Sequence, residues 1–205
     1  MTPFKALITT GTILGAGTIL VVSVLRTATV KYSFRSAPVA TPAPSQRSRV
    51  PYDLPQQGNV GPGDLFWPIE AMRDQVWLVV NTDLMKKTEI TLLLADKRML
   101  SAQELAQAGK TDDAVMVANK AGMYLEDATK LFEQAQTQNV MTPSFAQKFA
   151  LATLKHREIL ETLFIESPED AGPYIVRIMD FSKTGYEKAS QYLRSQGQNP
   201  PDNPF

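Results

Sequence analysis

The chain has no cysteine and one histidine among its 205 residues. The first absence excludes a disulfide framework, a thiolate metal site and a lipid-modified cysteine. The second excludes a di-iron bundle site, which needs two Glu-x-x-His pairs, and a zinc site built on histidine or cysteine. No charge excess exists either, with 21 basic and 21 acidic side chains. No run alternates polar and apolar residues with period two, so no strand is predicted. A Gly-rich phosphate loop, a Gly-x-Ser-x-Gly elbow and a calcium loop are all missing. We therefore expect no reaction, no cofactor and no metal.

The neutral balance is unevenly distributed. Residues 1–63 hold six basic side chains (Lys5, Arg26, Lys31, Arg35, Arg47, Arg49) against Asp53, a net charge of +5. The rest holds 15 basic and 20 acidic, a net of −5. An acidic main domain argues against a nucleic-acid face, whereas the basic segment suits anionic lipid head groups.

Ala6 to Leu25 is an uncharged apolar run of 20 residues. As a helix it spans about 30 Å, the thickness of a bilayer core. A cleaved secretory signal has a shorter apolar region of about 7 to 15 residues, closely followed by a small-residue cleavage site. Here Arg26 follows directly, and the nearest such pattern, Ala37-Pro-Val-Ala40, lies far downstream. An uncleaved transmembrane anchor is the expectation. Gly11 and Gly15 form a G-x-x-x-G pair that lets two helices approach closely in lipid, although glycine is also simply common in membrane helices.

Residues 26–63 read as a basic, Pro-rich stem, with six prolines between residues 36 and 63 and no hydrophobic period. Such a segment forms an extended, semi-rigid spacer. Residues 64–196 read as a bundle domain and 197–205 as a Pro-rich tail, leaving residues 1–5 as a short cap before the anchor.

The bundle pattern is helical throughout. Pro68 suits the first position of a short leading helix bearing Ile69, Met72, Val76 and Val79 on one face. Asn81-Thr82-Asp83 is a capping break. The next helix carries Thr88, Leu92, Ala95, Met99, Ala102 and Ala106 at spacings of four and three, and Gly109 ends it. Thr111 is predicted to cap a third helix, with Asp112 and Asp113 placed well against its dipole. Its stripe is Ala114, Ala118, Ala121, Leu125, Ala128, Phe132 and Ala135. Thr142-Pro143 starts a fourth helix with Phe145, Phe149, Ala152, His156, Ile159 and Leu163 inward. Ser167-Pro-Glu-Asp170 has capping-box spacing before a fifth helix that buries Tyr174, Ile178, Phe181, Gly185, Ala189 and Tyr192. The fold class is therefore all-α: an N-terminal transmembrane helix, then an up-and-down antiparallel bundle of four long helices and one short leading helix. Short connections make sequence neighbours antiparallel, and the spacing implies coiled-coil-like packing. No two-helix repeat is found.

Pro62-Gly-Asp-Leu-Phe-Trp-Pro-Ile-Glu-Ala-Met-Arg73 resembles the opening of a family of bacterial and archaeal domains of unknown function. That family continues with an aspartate-started helix rich in Lys and Glu, here Asp83 to Glu89, and an Ala-(Asp/Glu)-(Lys/Arg)-Arg-(Leu/Met) segment, here Ala95-Asp-Lys-Arg-Met99. A glycine break and an alanine-rich helix follow, matching Gly109 and the third helix. The resemblance covers about residues 60–135; Glu70 departs from it, since a basic residue is commoner there. It implies a helical fold, usually behind a signal or anchor and outside the cytoplasmic membrane, and implies no catalytic residues. The positive-inside rule read alone would leave the bundle in the cytoplasm, because Arg26, Lys31 and Arg35 follow the anchor. The resemblance implies the opposite, and an extracytoplasmic bundle is the expectation.

The residues carrying chemistry are few. His156 falls on an apolar stripe, where a histidine serves either as a proton switch or as a packed residue with one hydrogen bond. Phe66 and Trp67 precede a helix start, which suits a staple against the bundle; the other role for exposed aromatics is interface anchoring. The acidic pairs Asp112-Asp113, Glu126-Asp127 and Glu169-Asp170 point about 100° apart on a helix and do not chelate. The functional expectation is a non-catalytic, membrane-anchored structural or protein-interaction module. It would contact the bilayer through residues 6–25 and a protein partner or a second copy through the bundle. The alternatives are a sensory bundle holding a small ligand near His156 and, more remotely, a hydrolase.

Overall fold

In a computed structural model of the protein, the structure describes Phe34, residues 50–55 and residues 82–205. The apolar run with Gly11 and Gly15, the leading helix, Phe66 and Trp67 lie outside the described residues. Among the described residues no helix is long and apolar enough to cross a membrane.

Four helices make up the described fold: α1 (Leu84–Gln107), α2 (Thr111–Thr137), α3 (Pro143–Glu166) and α4 (Gly172–Ser195), with a single 3₁₀ turn at Glu169–Ala171. No strand occurs among the described residues. Local chemistry sets most of the boundaries. Asp83 caps α1, its Oδ1 accepting the backbone N–H groups of Met85 at 2.9 Å and Lys86 at 3.3 Å, which satisfies two donors that have no partner within the helix. Thr142 caps α3 by accepting from Phe145 N at 3.3 Å, with Pro143 in the first turn. Gly109, at φ 74°, reverses the chain between α1 and α2 in the left-handed region that glycine enters without strain.

Two caps differ from expectation. Thr111 is the first residue of α2 rather than its cap, and Lys110 precedes it with no side-chain cap bond; Asp112 and Asp113 alone complement the helix dipole. The predicted capping box at Ser167–Asp170 does not form. The 3₁₀ turn intervenes, α4 begins at Gly172 with Pro173 in its first turn, and the Ser167 hydroxyl has no hydrogen-bond partner.

The apolar stripes of α1, α2 and α3 lie inward as their spacing predicts; only Ala106, in the last turn of α1, stays partly exposed. Every residue of the α2 stripe from Ala114 to Ala135 is fully buried. In α4 the inward face is rotated slightly: Ile175 takes the buried place expected for Tyr174, which is exposed. At one end Phe132, Phe145, Phe149 and Tyr192 form an aromatic core, with ring centroids of Phe132 and Phe149 5.0 Å apart and Tyr192 edge-on to Phe132. The Tyr192 hydroxyl donates to Met141 O at 2.8 Å, so this core also closes the α2–α3 connection. Each such ring contributes about 1.5–3 kcal/mol by leaving water.

The helices form two antiparallel hairpins, α1–α2 and α3–α4, set side by side so that α2 lies on α4 and α1 on α3. Glycine permits this. A Cβ built on Gly122 of α2 would stand 2.8 Å from Ile178 of α4, and one on Gly185 of α4 would stand 2.8 Å from Thr153 and 3.2 Å from Thr129. Gly122 thus faces residue 178, Thr129 faces residue 185 and Glu133 pairs with Lys188. The two numbers rise together, so α2 and α4 run parallel. The sequence neighbours α2 and α3 meet chiefly through Phe132, Phe145 and Phe149.

Both Pro-rich segments touch the bundle where they are described. Val50, in the segment read as an extended, semi-rigid spacer, is buried, and its N–H donates to Glu158 at 3.2 Å. The C-terminal tail turns at Gly197 (φ 71°) and runs back along α4, with Pro201 O accepting from the Tyr186 hydroxyl at 2.7 Å.

Candidate functional site

α1 uses two faces. One is the predicted stripe, flanked by Asp96; the other adds Thr91, Leu94, Arg98, Ser101 and Leu105 to the interior. Asp96 therefore sits inside, 2% exposed, and there it meets His156, which is fully buried on the stripe of α3. His156 Nε2 lies 2.8 Å from Asp96 Oδ1, and the Tyr52 hydroxyl donates to Asp96 Oδ2 at 2.6 Å. Each oxygen of one carboxylate thus has a partner, and the three residues come from three separate parts of the chain.

The electrostatics fit a lock. A carboxylate in a protein interior is costly unless its oxygens are hydrogen-bonded, and here both are. Burial, and after it the charge and hydrogen bond of Asp96, hold the Tyr52 phenol proton far more tightly than in an ordinary tyrosine. With Nε2–H assigned as the donor to Asp96, His156 Nδ1 has no hydrogen-bond partner. His156 is packed in the interior with a single hydrogen bond, to Asp96; a groove lined by its neighbours Thr153, Leu154 and Arg157 does not include His156 itself.

Tyr52 belongs to a wider clasp. Val50 N–H donates to Glu158, which Lys155 also pairs at 3.4 Å, and Phe34 N–H reaches Asp112 Oδ1 at 3.4 Å. Three carboxylates of the bundle (Asp96, Asp112 and Glu158) hold the segment that precedes it. Among the described residues no group of three or more His, Asp or Glu converges as a metal site.

Sequence reading missed Asp96 and Tyr52. Asp96 left a signal: Leu92, Asp96 and Met99 share the four-three spacing, so a carboxylate occupies a core register and needs a buried partner. The one histidine on a facing stripe is the natural choice. Tyr52 left none, because it lies in a proline-rich stretch without periodicity.

A second feature is on the surface, at the elbow between α3 and α4. Ile165 is 72% exposed, and Phe164, Tyr174 and Val176 are each nearly half exposed. The packing of Phe164 beside Gly172 brings the two helix ends together, and the Phe34 ring stands edge-on to Tyr174 at 5.8 Å. The other exposed apolar side chains, Leu93, Met123 and Val140, each lie on a different element.

The family model described as Domain of unknown function (DUF5667) matches residues 59–170, more than half of the chain. The chain belongs to this family. The DUF5667 match reaches beyond residue 135, where the sequence resemblance ended, and takes in the whole of α3. It stops at Asp170, before α4. Asp96 and His156 both fall inside it; Tyr52, which closes the lock, lies outside. No curated protein and no solved structure matches the chain.

Proposed function

We propose that this chain is a single-pass membrane protein whose helical domain stands outside the cytoplasmic membrane and works, without catalysis, as a protein-interaction module. The observation that carries this reading is the apolar elbow. Phe164 and Ile165 at the end of α3 and Tyr174 and Val176 at the start of α4 are exposed around one turn, and exposed apolar side chains close together mark interaction surfaces, whereas scattered ones are ordinary. The uncharged run from Ala6 to Leu25 supports the anchor, and its Gly11–Gly15 pair would serve helix pairing in the bilayer. In the same reading Pro68 opens a short leading helix, with Phe66 and Trp67 stapled against the bundle. The clasp on residues 50–55 gives the stem a mechanical role: a pull on the anchor reaches the helices through Asp96 and Glu158 rather than through a loose linker.

The test is a pull-down of the full chain from detergent-solubilised native membranes, with Ile165→Glu/Tyr174→Ser as the control. A protein recovered with the wild type and absent from the control is the expected result. A chain recovered alone, as monomer in both cases, overturns the reading.

A further inference from the structure

Because α2 and α4 run parallel, the connection before α2 and the elbow before α4 lie at the same end of the bundle. At that end Phe164 and Ile165 of α3 and Tyr174 and Val176 of α4 are exposed. One side chain from far away in the sequence is already seated there. Phe34 is buried, its ring stands edge-on to Tyr174 at 5.8 Å, and its backbone N–H donates to Asp112 Oδ1 at 3.4 Å. The seat thus takes an aromatic ring on an apolar surface and a main-chain N–H on a carboxylate. Ile165 remains 72% exposed, so Phe34 covers only part of the site.

Charge around this patch is one-sided. Asp112 and Asp113 lie in the first turn of α2, Glu166 ends α3, and Glu169 and Asp170 belong to the 3₁₀ turn. Across residues 108–113 and 164–177 the basic residues are Lys110 and Arg177 alone. Glu166 and Glu169 are exposed and have no ion pair among the described residues. The sequence around Phe34 has the opposite sign: Lys31-Tyr-Ser-Phe-Arg35 holds two cations and no carboxylate. The seated ring therefore comes from a segment whose charge complements the rim. Such a rim repels an anionic lipid surface and attracts a cationic partner.

We infer that the elbow binds a protein segment in which an aromatic side chain is flanked by basic residues, and that Phe34 holds part of the same site in cis. This rests on the reading of the elbow as an interaction surface and adds the chemistry of its partner. The partner's ring packs on Ile165, Phe164 and Tyr174, and its cations meet Glu166 and Glu169 at the rim. Asp112 takes a main-chain N–H, a charge-assisted bond that any peptide segment can make in place of Phe34. Phe34 is joined covalently to the bundle, which gives it a high local concentration at the seat, so the partner binds by displacing it.

The probe is a fluorescent peptide of residues 29–36, which carries Lys31, Phe34 and Arg35, titrated by anisotropy with the full chain in neutral detergent. Saturable binding that weakens as salt is added is expected. Phe34→Ala in the full chain should tighten it by about threefold or more, because the seat is emptied. Phe34→Ala in the peptide, and Ile165→Ser or Glu166→Lys/Glu169→Lys in the chain, should each weaken it about tenfold. The two chain variants alter exposed side chains, so their thermal midpoints should stay at the wild-type value. Absence of saturable binding by the Phe34→Ala chain, or wild-type binding by the charge-reversed chain, overturns the inference. A pull-down partner that depends on the elbow, while the peptide fails to bind, overturns it and leaves the elbow reading standing. Hydrogen exchange tests for a lipid occupant. Protection of residues 164–176 by the peptide is expected; protection on transfer to phosphatidylglycerol bicelles, with none from the peptide, overturns the inference.

Discussion

Asp96 and His156, sixty residues apart in sequence, meet at 2.8 Å where almost no solvent reaches. The pair joins the first helical hairpin to the second, and Tyr52 joins both to the preceding segment. Its energetic worth follows from burial. Removing His156 leaves a carboxylate in the interior with one donor instead of two, so His156→Ala should cost about 1.5–3 kcal/mol, the worth of a hydrogen bond to a charged group. Asp96→Leu/His156→Leu should restore part of that loss by removing the charge with its partner. Urea unfolding of the single and double variants gives the interaction energy, expected at about 0.5–3 kcal/mol. A value of zero would mean that the two residues do not cooperate.

Tyr52 makes stability depend on alkaline pH. Its folded-state proton affinity is raised above the ordinary value of 10.0, by burial first and by Asp96 second. A raised value means that the contribution is complete below pH 10 and declines as pH climbs above it, because the unfolded tyrosine then ionises while the folded one keeps its proton. Tyr52→Phe should lose about 2 kcal/mol at pH 7, the worth of a hydrogen bond to a charged group. The gap between wild type and Tyr52→Phe should narrow from pH 10 to pH 11 in denaturant melts. A constant gap would contradict the bond to Asp96.

The α2–α4 contact predicts opposite responses from glycine and its substitute. Alanine is the better helix former by about 1 kcal/mol, yet Gly122→Ala and Gly185→Ala each drive a methyl to 2.8 Å from a packed side chain. Overpacking of this kind costs about 1–3 kcal/mol. Both variants should melt at or below the wild-type temperature. Gly109→Ala meets no atom within 4 Å, and its loss should come from the left-handed φ alone, about 1–2 kcal/mol.

Elbow variants should separate binding from stability. Ile165→Glu replaces a side chain that is 72% exposed, so unfolding free energy should shift by no more than about 0.5 kcal/mol. Retained stability with lost partner recovery is the expected pattern. A large fall in stability would show the elbow to be part of the core.

Topology has its own measurement. Protease added to intact cells should remove the bundle if it is extracytoplasmic, and protection would place it in the cytoplasm. The clasp adds a detail: Val50 is buried, so cleavage should fall N-terminal to it before the stem is cut within residues 50–55.

What the sequence settled by itself was local or periodic. Four-three spacing placed the interior faces of α1, α2 and α3, because burial of an apolar stripe is the same physical demand wherever the helix docks. Capping chemistry at Asp83 and Thr142, and glycine at 109, set helix ends through groups within a few residues. The Pro62–Arg73 opening, the Asp83-started helix, the Ala95–Met99 segment and the glycine break carried the family resemblance. The tertiary structure decided which helices would touch. Parallel packing of α2 on α4 depends on two glycines 63 residues apart, Gly122 and Gly185, matched against side chains of another helix, and no periodicity within one helix encodes that match. The same holds for the buried lock. Asp96 on α1 and His156 on α3 were each readable as oddities of their own helix, but only docking of the two hairpins turned two costly buried groups into partners.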